Sequence, residues 1–211
     1  MVKNVKNYGW TSSNSSSCND FISPKIIQIC SELGVHRIID IGCGNGVISG
    51  RLANSGFDVT GCDADEKGIE IAKQSVAGVN FQVIGVYDDP VLLRNSDFDA
   101  VVSTEVIEHL FLPGYLPKFA KAVLKDSGYL IISTPYHGYL KNLAISLVNK
   151  WDVHHQSLND GAHIKFFSRK TLTYLLEQEG FKVCSFYGVG NIGLGHLPYL
   201  WNSMILVAQK S

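Results

Sequence analysis

Residues 38–46 read IIDIGCGNG, an apolar strand pattern that passes into a turn with glycine at every second position and then into a helical pattern. Glycine has no Cβ atom, so such a turn adopts tight dihedral angles and lets a ligand lie against its backbone. Open α/β sheets bind ligands at the carboxyl ends of their strands, where this turn falls. A nicotinamide fingerprint would have glycine or alanine at position 47, where this chain has Val47. The stretch predicts a ligand-binding strand-turn-helix unit, with a tight connection that binds no ligand as the alternative.

Strand and helix patterns alternate on both sides of this turn. Strands are predicted at residues 37–41, 57–63, 79–84, 99–103, 129–133, 181–189 and 204–209. Helices are predicted after Pro24, around Ile69, from Leu116 to a stop at Gly128, and after a cap at Ser168. Such alternation gives a mostly parallel sheet covered by helices, and the last two strands, with no helix between them, form an antiparallel pair. The sequence predicts one Rossmann-like α/β domain over residues 1–211, with a mostly parallel seven-stranded sheet.

Composition narrows the class of partner. Hydrophobic residues make up 45% of the chain and charged residues 18%, and no apolar run is long enough to cross a bilayer. The formal charge of -1 provides no bulk attraction for nucleic acid. The five cysteines are scattered without a C-x-x-C pair, which argues against a zinc knot or a disulfide framework. We expect a cytoplasmic protein with a small-molecule partner and at most peripheral membrane contact.

A second acidic signal follows the glycine turn. Residues 59–63, VTGCD, end a predicted strand with the carboxylate of Asp63. A carboxylate at this place can accept hydrogen bonds from both ribose hydroxyls of an adenosine. An exposed strand-end aspartate is the alternative for Asp63 alone. The two signals together, in this order, predict an adenosine cofactor.

Four stretches resemble those of a known superfamily: IDIGCGNG (39–46), GCD (61–63), FDAVVSTEVIEH (98–109) and GYLIISTP (128–135). Over residues 36–184 the sequence resembles the class I S-adenosylmethionine-dependent methyltransferases. Within that superfamily it looks most like the ubiquinone-biosynthesis O-methyltransferases. The resemblance implies a methyltransferase sandwich that uses S-adenosylmethionine as donor and releases S-adenosylhomocysteine.

The resemblance also implies where the cofactor lies. Asp40 and the glycine turn would face its methionine end, Asp63 would hold the ribose, and Tyr87 or Asp88 would lie near the adenine. The cofactor-binding residues implied in this way are Asp40, Gly42, Cys43, Gly44, Gly46, Asp63, Ala64, Tyr87, Asp88 and Thr104.

The acceptor side requires alignment of donor and acceptor and, for a hydroxyl acceptor, removal of a proton. Glu105, Glu108 and His109 would share one face if their segment is a helical turn, and His163 follows later in the chain. Two carboxylates and two imidazoles could hold one divalent metal, which would lower the pKa of a bound hydroxyl. Ubiquinone-pathway enzymes and small-RNA 2′-O-methyltransferases have a similar run and later histidine. The resemblance therefore implies a metal set of Glu105, Glu108, His109 and His163, with a loop-ordering turn as the alternative.

The predicted catalytic residues are Glu105, His109, Tyr136 and His137, and the last two directly follow the fifth strand. His154, His155 and His196 are looser candidates for a general base. Residues 1–20, with Tyr8 and Trp10, are predicted to form a lid, although plain packing would explain the aromatic residues equally well. Residues 136–167 interrupt the repeat at the ligand-binding edge and are predicted to form the acceptor side.

An apolar stripe at helical spacing lies inside this insertion: Leu140, Leu143, Ala144, Leu147, Val148 and Trp151. Core packing is the usual interpretation, and an acceptor wall or a membrane-surface helix is the alternative. We expect methylation of a hydroxyl oxygen on a small aromatic or lipid-like acceptor. A metal-dependent RNA 2′-O-methyltransferase and a non-catalytic cofactor-binding protein remain alternatives.

Overall fold

The computed structural model describes residues 8–93, 97–152, 162–190 and 201–211. The strands are β1 (Arg37–Ile41), β2 (Asp58–Asp63), β3 (Asn80–Val83), β4 (Phe98–Thr104), β5 (Leu124–Pro135), β6 (Phe181–Val189) and β7 (Ser203–Lys210). The helices are α1 (Asn19–Glu32), α2 (Val47–Asn54), α3 (Glu66–Ser75), α4 (Tyr115–Val123), α5 (Tyr139–Leu147) and α6 (Arg169–Gln178). Within these residues no helix has both the length and the apolar character to cross a membrane.

The strands form one sheet in the order β3-β2-β1-β4-β5-β7-β6. β1 to β5 run parallel, and β7 lies antiparallel between β5 and β6. Ile38 of β1 packs into the core on one face of the sheet, while Ile39 and Ile41 pack into the core on the other. Burial on both faces explains why these strands are apolar without polar alternation. The predicted Rossmann-like fold and its antiparallel C-terminal pair are confirmed.

Strand order decides which motifs meet. β1 pairs with β2 on one side and with β4 on the other, so Asp40 lies opposite both Gly61 and Val102. The carboxyl ends of β1, β2 and β4 therefore lie side by side. The glycine turn, Asp63 and the segment after Thr104 come to one edge of the sheet, although they are far apart in the chain.

Two predicted boundaries are wrong. The first helix begins at Asn19 and not after Pro24. Its buried face extends to both sides of the proline, because Ile22 and Ile26 are equally fully buried. The fourth helix does not continue to Gly128: it ends at Val123, and strand pairing begins at the next residue, Leu124. The chain then departs from regular pairing, with a positive φ of 60° at Ser127, before pairing resumes at Tyr129.

The apolar stripe of the insertion faces outward. Leu143 of α5 is 43% exposed and Leu147 is 78% exposed, whereas Lys141 and Ile145 are buried at 4% and 6%. The interpretation of this stripe as core packing is therefore wrong for these leucines. Helical spacing identified the helix, but the buried face is the one that carries Lys141.

Candidate active site

A cavity of about 420 Å³ opens at the carboxyl ends of β1, β2 and β4. Five parts of the chain form its walls: the segment that precedes α1, the glycine turn, the end of β2, the loop after β3 and the segment after β4. His163 closes one side. The predicted cofactor residues on the wall are Gly42, Cys43, Asp63, Ala64, Tyr87 and Thr104.

The glycine turn has the backbone that its sequence predicts. Gly42, Gly44 and Gly46 all have positive φ angles, of 76°, 52° and 80°, which L side chains rarely adopt. Space is also restricted, because a Cβ atom at Gly46 would lie 2.8 Å from both Ala72 and Phe81. The turn is fixed to β2 by the Gly42 amide, which donates to the carbonyl of Cys62 at 2.8 Å. Its backbone is thus held in one shape beside the cavity.

Two aspartates lie at this turn. Asp63 borders the cavity, and its carboxylate accepts from the amides of Gly44 and Asp65, each at 2.8 Å. Burial raises its pKa. Asp40 is fully buried beneath the turn, where Oδ2 accepts from the hydroxyl of Ser49 at 2.7 Å. Burial raises the pKa of Asp40 to about 7, and its Oδ1 atom has no hydrogen-bond partner among the described residues.

The loop after β3 separates the two residues predicted near the adenine. Tyr87 borders the cavity, its hydroxyl accepts from the amide of Leu112 at 3.1 Å, and its ring packs edge-on against Tyr115. Asp88 turns into its own loop and accepts from the amide of Gly85 at 2.7 Å. Val86 and Tyr87 of this loop border the cavity, whereas Asp88 is not among the residues that line it.

Glu105 does not share a face with Glu108 and His109. It has a left-handed backbone, with φ of 52°, and the helical turn covers only Ile107–His109. Its carboxylate accepts from the hydroxyls of Ser133 at 2.8 Å and Ser203 at 3.2 Å. Burial raises the pKa of Glu105 to about 7. The assumed helical spacing was wrong at this residue, so Glu105 borders the cavity with its carboxylate committed to the serines.

Glu108, His109 and His163 do converge. Glu108 is fully buried, and its Oε1 lies 3.9 Å from Nε2 of His109 and 3.9 Å from Nε2 of His163. Its Oε2 accepts from Thr134 at 3.0 Å, but Oε1 has no hydrogen-bond partner among the described residues. Burial raises the pKa of Glu108 well above its ordinary value, and burial lowers the pKa of His163 to about 4. One potential ligand atom from each residue lies within 4.8 Å of the others.

Sequence reasoning did not find two contacts at this site. Tyr8 Oη lies 3.2 Å from Nε2 of His109, although the two residues are 101 positions apart in the chain. Burial raises the pKa of Tyr8 to about 12, so its hydroxyl keeps its proton near neutral pH. Lys141, from the insertion, is buried near Glu105 and donates to the carbonyl of Asn202 at 3.1 Å. Neither pairing leaves a local sequence signal.

A family described as a methyltransferase domain matches residues 18–185 of this chain. The chain belongs to this family. The ubiquinone biosynthesis O-methyltransferase of Dinoroseobacter shibae is 31% identical over 153 residues, covering 68% of this chain and 59% of that protein. The enzyme of the same name from Bordetella avium is 30% identical over 113 residues, covering 52% of this chain and 46% of that protein. The chain spans about half the length of the curated relatives it matches.

Solved methyltransferase structures share the fold. The magnesium protoporphyrin IX methyltransferase of Synechocystis, with bound S-adenosylhomocysteine, superimposes with a TM-score of 0.67 at 18% identity, covering 90% of this chain and 82% of that one. A putative methyltransferase of Bacillus halodurans gives a TM-score of 0.68 at 16% identity, covering 90% and 98%. The family match and these shared folds confirm the predicted resemblance to the methyltransferases.

Two predicted catalytic residues of the methyltransferase domain lie elsewhere. Tyr136 is buried against Phe186 and Trp201, with ring centroids 6.2 and 5.5 Å apart. His137 packs edge-on against Phe166 at 4.8 Å. Among the described residues that line the cavity, these two are absent, because their rings pack against other aromatic side chains. The remaining histidine candidates, His154, His155 and His196, lie outside the described residues.

Proposed function

We propose that this methyltransferase domain transfers the methyl group of S-adenosylmethionine to a hydroxyl oxygen of a small aromatic or lipid-like acceptor. One observation carries the proposal: Asp63 and the imidazoles of His109 and His163 border the same cavity. The cavity is thus bordered both by a carboxylate that suits a ribose and by imidazoles that can accept a proton.

On the donor side, the backbone of the glycine turn would lie against the methionine part of the cofactor. Asp63 would accept hydrogen bonds from the ribose hydroxyls, which its two amide contacts already orient it to do. The Oδ1 atom of Asp40 has no partner among the described residues beneath the turn. Burial raises the pKa of Asp40 to about 7, and a cationic donor bound nearby would favour its ionised form, because an opposite charge stabilises the carboxylate.

On the acceptor side, methyl transfer is an in-line displacement at carbon. The acceptor oxygen forms the new bond to the methyl group while the sulfur keeps the electron pair of the old one. The hydroxyl proton needs a base, for which His109 is suited. Its Nδ1 atom lies 3.3 Å from the carbonyl of Ala162. Since a carbonyl only accepts, Nδ1 carries the hydrogen and Nε2 is the atom that takes the proton.

A divalent metal is a second way to activate the hydroxyl, and the residues fit one. Glu108, His109 and His163 would hold it, because Oε1 of Glu108 is buried without a described partner beside two imidazole nitrogens. Mixed carboxylate and imidazole ligands suit several divalent ions. A bound metal would lower the pKa of the acceptor hydroxyl and orient it. Glu105 takes no part in this site.

Apolar residues of the cavity wall support the proposed class of acceptor. Leu110 and Phe111 border the cavity, and Phe111 is 64% exposed, which favours an apolar or aromatic group at the entrance. The distant relatives are named for ubiquinone biosynthesis, which favours a quinone-precursor-like phenol or catechol.

Turnover with an acceptor panel tests this proposal. Simple phenols, catechols with and without an alkyl tail, and a short RNA with a free 2′-hydroxyl are incubated with radiolabelled S-adenosylmethionine. We expect label in a phenol or catechol and loss of that label in His109→Gln. Label only in the RNA would replace the proposed acceptor. Binding of S-adenosylhomocysteine without label in any acceptor would favour the non-catalytic alternative.

Chelation tests the metal on the acceptor found. If the metal is used, activity falls with EDTA and returns with added metal, and His163→Ala loses this rescue. Activity that is indifferent to EDTA leaves His109 as the base without a metal.

A further inference from the structure

The indole of Trp10 lies between two glycines, Gly44 of the glycine turn and Gly68 of α3. A Cβ atom at Gly68, in the first turn of α3, would lie 2.8 Å from the indole, and one at Gly44 would overlap it. Gly44 belongs to the positive-φ turn, whereas nothing in the α3 helix by itself requires Gly68 to be glycine. The indole therefore fills the space that a side chain at either position would occupy.

The segment around Trp10 is also fixed by buried polar groups. The amide of Tyr8 donates to Oδ2 of Asp65 at 2.6 Å, and the other oxygen of Asp65 caps α3. The side-chain amide of Asn45, in the glycine turn, donates to the carbonyls of Ser12 and Asn14, each at 3.0 Å. Asp65 and Asn45 are only 1% and 2% exposed. The segment is thus joined at three points to the loops that carry the predicted donor site.

The same segment reaches the acceptor side through Tyr8. Its ring lies 5.9 Å from that of Trp10 and packs edge-on against His109, with centroids 5.2 Å apart. Since Nδ1 of His109 faces the carbonyl of Ala162, the 3.2 Å contact between Tyr8 Oη and Nε2 has the tyrosine as donor. The imidazole is held from both sides, so that its Nε2 atom points to the side from which Tyr8 enters.

We propose that residues 8–18 form a clasp in which Trp10 is the anchor and Tyr8 is a positioning residue that orients the His109 imidazole by donating to Nε2 until the acceptor hydroxyl takes the place of the Tyr8 hydroxyl. The clasp makes the orientation of His109 depend on contacts at the donor loops. Its relevance to catalysis rests on the proposed role of His109. The contact between Tyr8 and His109 can be measured without an acceptor, so its test is independent of the turnover experiment with the acceptor panel.

Nitrogen NMR of the full chain, labelled with ¹⁵N-histidine, tests the clasp. The protein is saturated with S-adenosylhomocysteine in the presence of EDTA, and the His109 signals are assigned from a His109→Gln variant. We expect the Nδ1-protonated tautomer in the unmodified chain. Tyr8→Phe removes only the hydroxyl and should shift the Nε2 resonance downfield, toward that of a lone pair without a donor. Tyr115→Phe, which removes a hydroxyl outside the clasp, is the matched control and should leave His109 unchanged.

The anchor is tested by Trp10→Ala and by Gly68→Ala. Each should reproduce the shift caused by Tyr8→Phe, and neither should add to it when combined with Tyr8→Phe, because all three break one connection. Gly68→Ala places a methyl group against the indole, but that group would also lie 3.1 Å from the carbonyl oxygen of Gly44, so Trp10→Ala is the more specific of the two variants. An unshifted His109 in Tyr8→Phe overturns the contact. A shift in Tyr8→Phe but in neither anchor variant overturns the clasp.

Discussion

Individual carboxylates of this domain differ in role according to what surrounds them. Asp40 and Glu108 are buried, whereas Asp63 is half-buried on the cavity wall. Asp63 accepts from two amides, while Asp40 and Glu108 each accept from one hydroxyl and keep the other oxygen without a described partner. These differences lead to separate expectations for each residue.

Asp63→Ala should weaken binding of S-adenosylhomocysteine. Charge-assisted hydrogen bonds to the two ribose hydroxyls would be lost, at a cost of about 1.5 to 3 kcal/mol. Titration calorimetry measures the change in affinity. Asp58→Asn is the matched control, because Asp58 begins the same strand at the opposite edge of the sheet and is exposed there. Equal affinity in Asp63→Ala and Asp58→Asn would contradict the ribose assignment.

Asp40 should make the stability of the ligand-free domain depend on pH. Burial raises its pKa in the folded state to about 7 from an ordinary value of 3.8. The folded protein therefore holds this proton at pH values where the unfolded chain releases it. The contribution to stability is complete below about pH 4 and is lost as the pH rises to about 7. Urea unfolding between pH 5 and 8 should give a shallower decline in Asp40→Asn, which keeps an acceptor for Ser49, than in the unmodified chain.

A similar slope in both proteins would show that Asp40 does not carry this proton. The quantity to compare is how steeply the free energy of unfolding falls with pH in each protein. The free energy at a single pH does not test the prediction.

At the scale of an element, α5 shows the limit of an apolar pattern. The leucines at helical spacing predicted a helix, and the helix is present. Periodicity specifies which side chains share a face, but the side turned to the core depends on the neighbours that face it. Here the face with Ile145 and Lys141 packs inward.

Ile145→Ala and Leu147→Ala should therefore differ in their effect on stability. Truncation of buried Ile145 should lower the free energy of unfolding by about 2 kcal/mol or more, because it leaves a cavity. Truncation of Leu147, which is 78% exposed, should change it by less than about 0.5 kcal/mol. Urea denaturation measures both. A comparable loss in Leu147→Ala would show that another surface covers the stripe.

At the scale of the whole molecule, one buried polar cluster connects segments that are far apart in the chain. Glu105 follows β4, Ser133 belongs to β5, Ser203 begins β7 and Lys141 comes from the insertion. Burial raises the pKa of Glu105 to about 7 and lowers the pKa of Lys141 to about 8, and the charge of each residue opposes the shift of the other. The two charges thus stabilise each other in a place where either alone would be costly.

A double-mutant cycle should reveal this coupling. Glu105→Gln and Lys141→Met should each destabilise the domain, because each leaves the other group buried without its counter-charge. The double variant should lose less than the two single losses together, by about 0.5 to 3 kcal/mol for groups in one network. Denaturant unfolding at neutral pH supplies the four free energies. Strictly additive losses would show that the insertion is held by packing alone.

The sequence by itself determined the α/β fold, the glycine turn and the place of Asp63. These features are local, because each depends on a short run of residues. They are an apolar strand, a turn that needs positive φ at three glycines, and a carboxylate at a strand end. Strand periodicity, and a sequence without a helical pattern between the last two predicted strands, were enough to predict the antiparallel pair. The cap of α6 at Ser168 was likewise predicted and is present as a capping box.

Only the tertiary structure decided the acceptor side. Glu105 has a left-handed backbone that spacing could not reveal, and it turns to serines on β5 and β7 instead of to Glu108. Tyr8, His109 and Ala162 meet from three distant segments. Tyr136 and His137, although next to a strand end, pack against aromatic side chains and are not among the residues that line the cavity. A side chain's direction depends on the backbone dihedral angles and on the neighbours that the whole sheet brings to it, and neither is contained in the spacing of residue types.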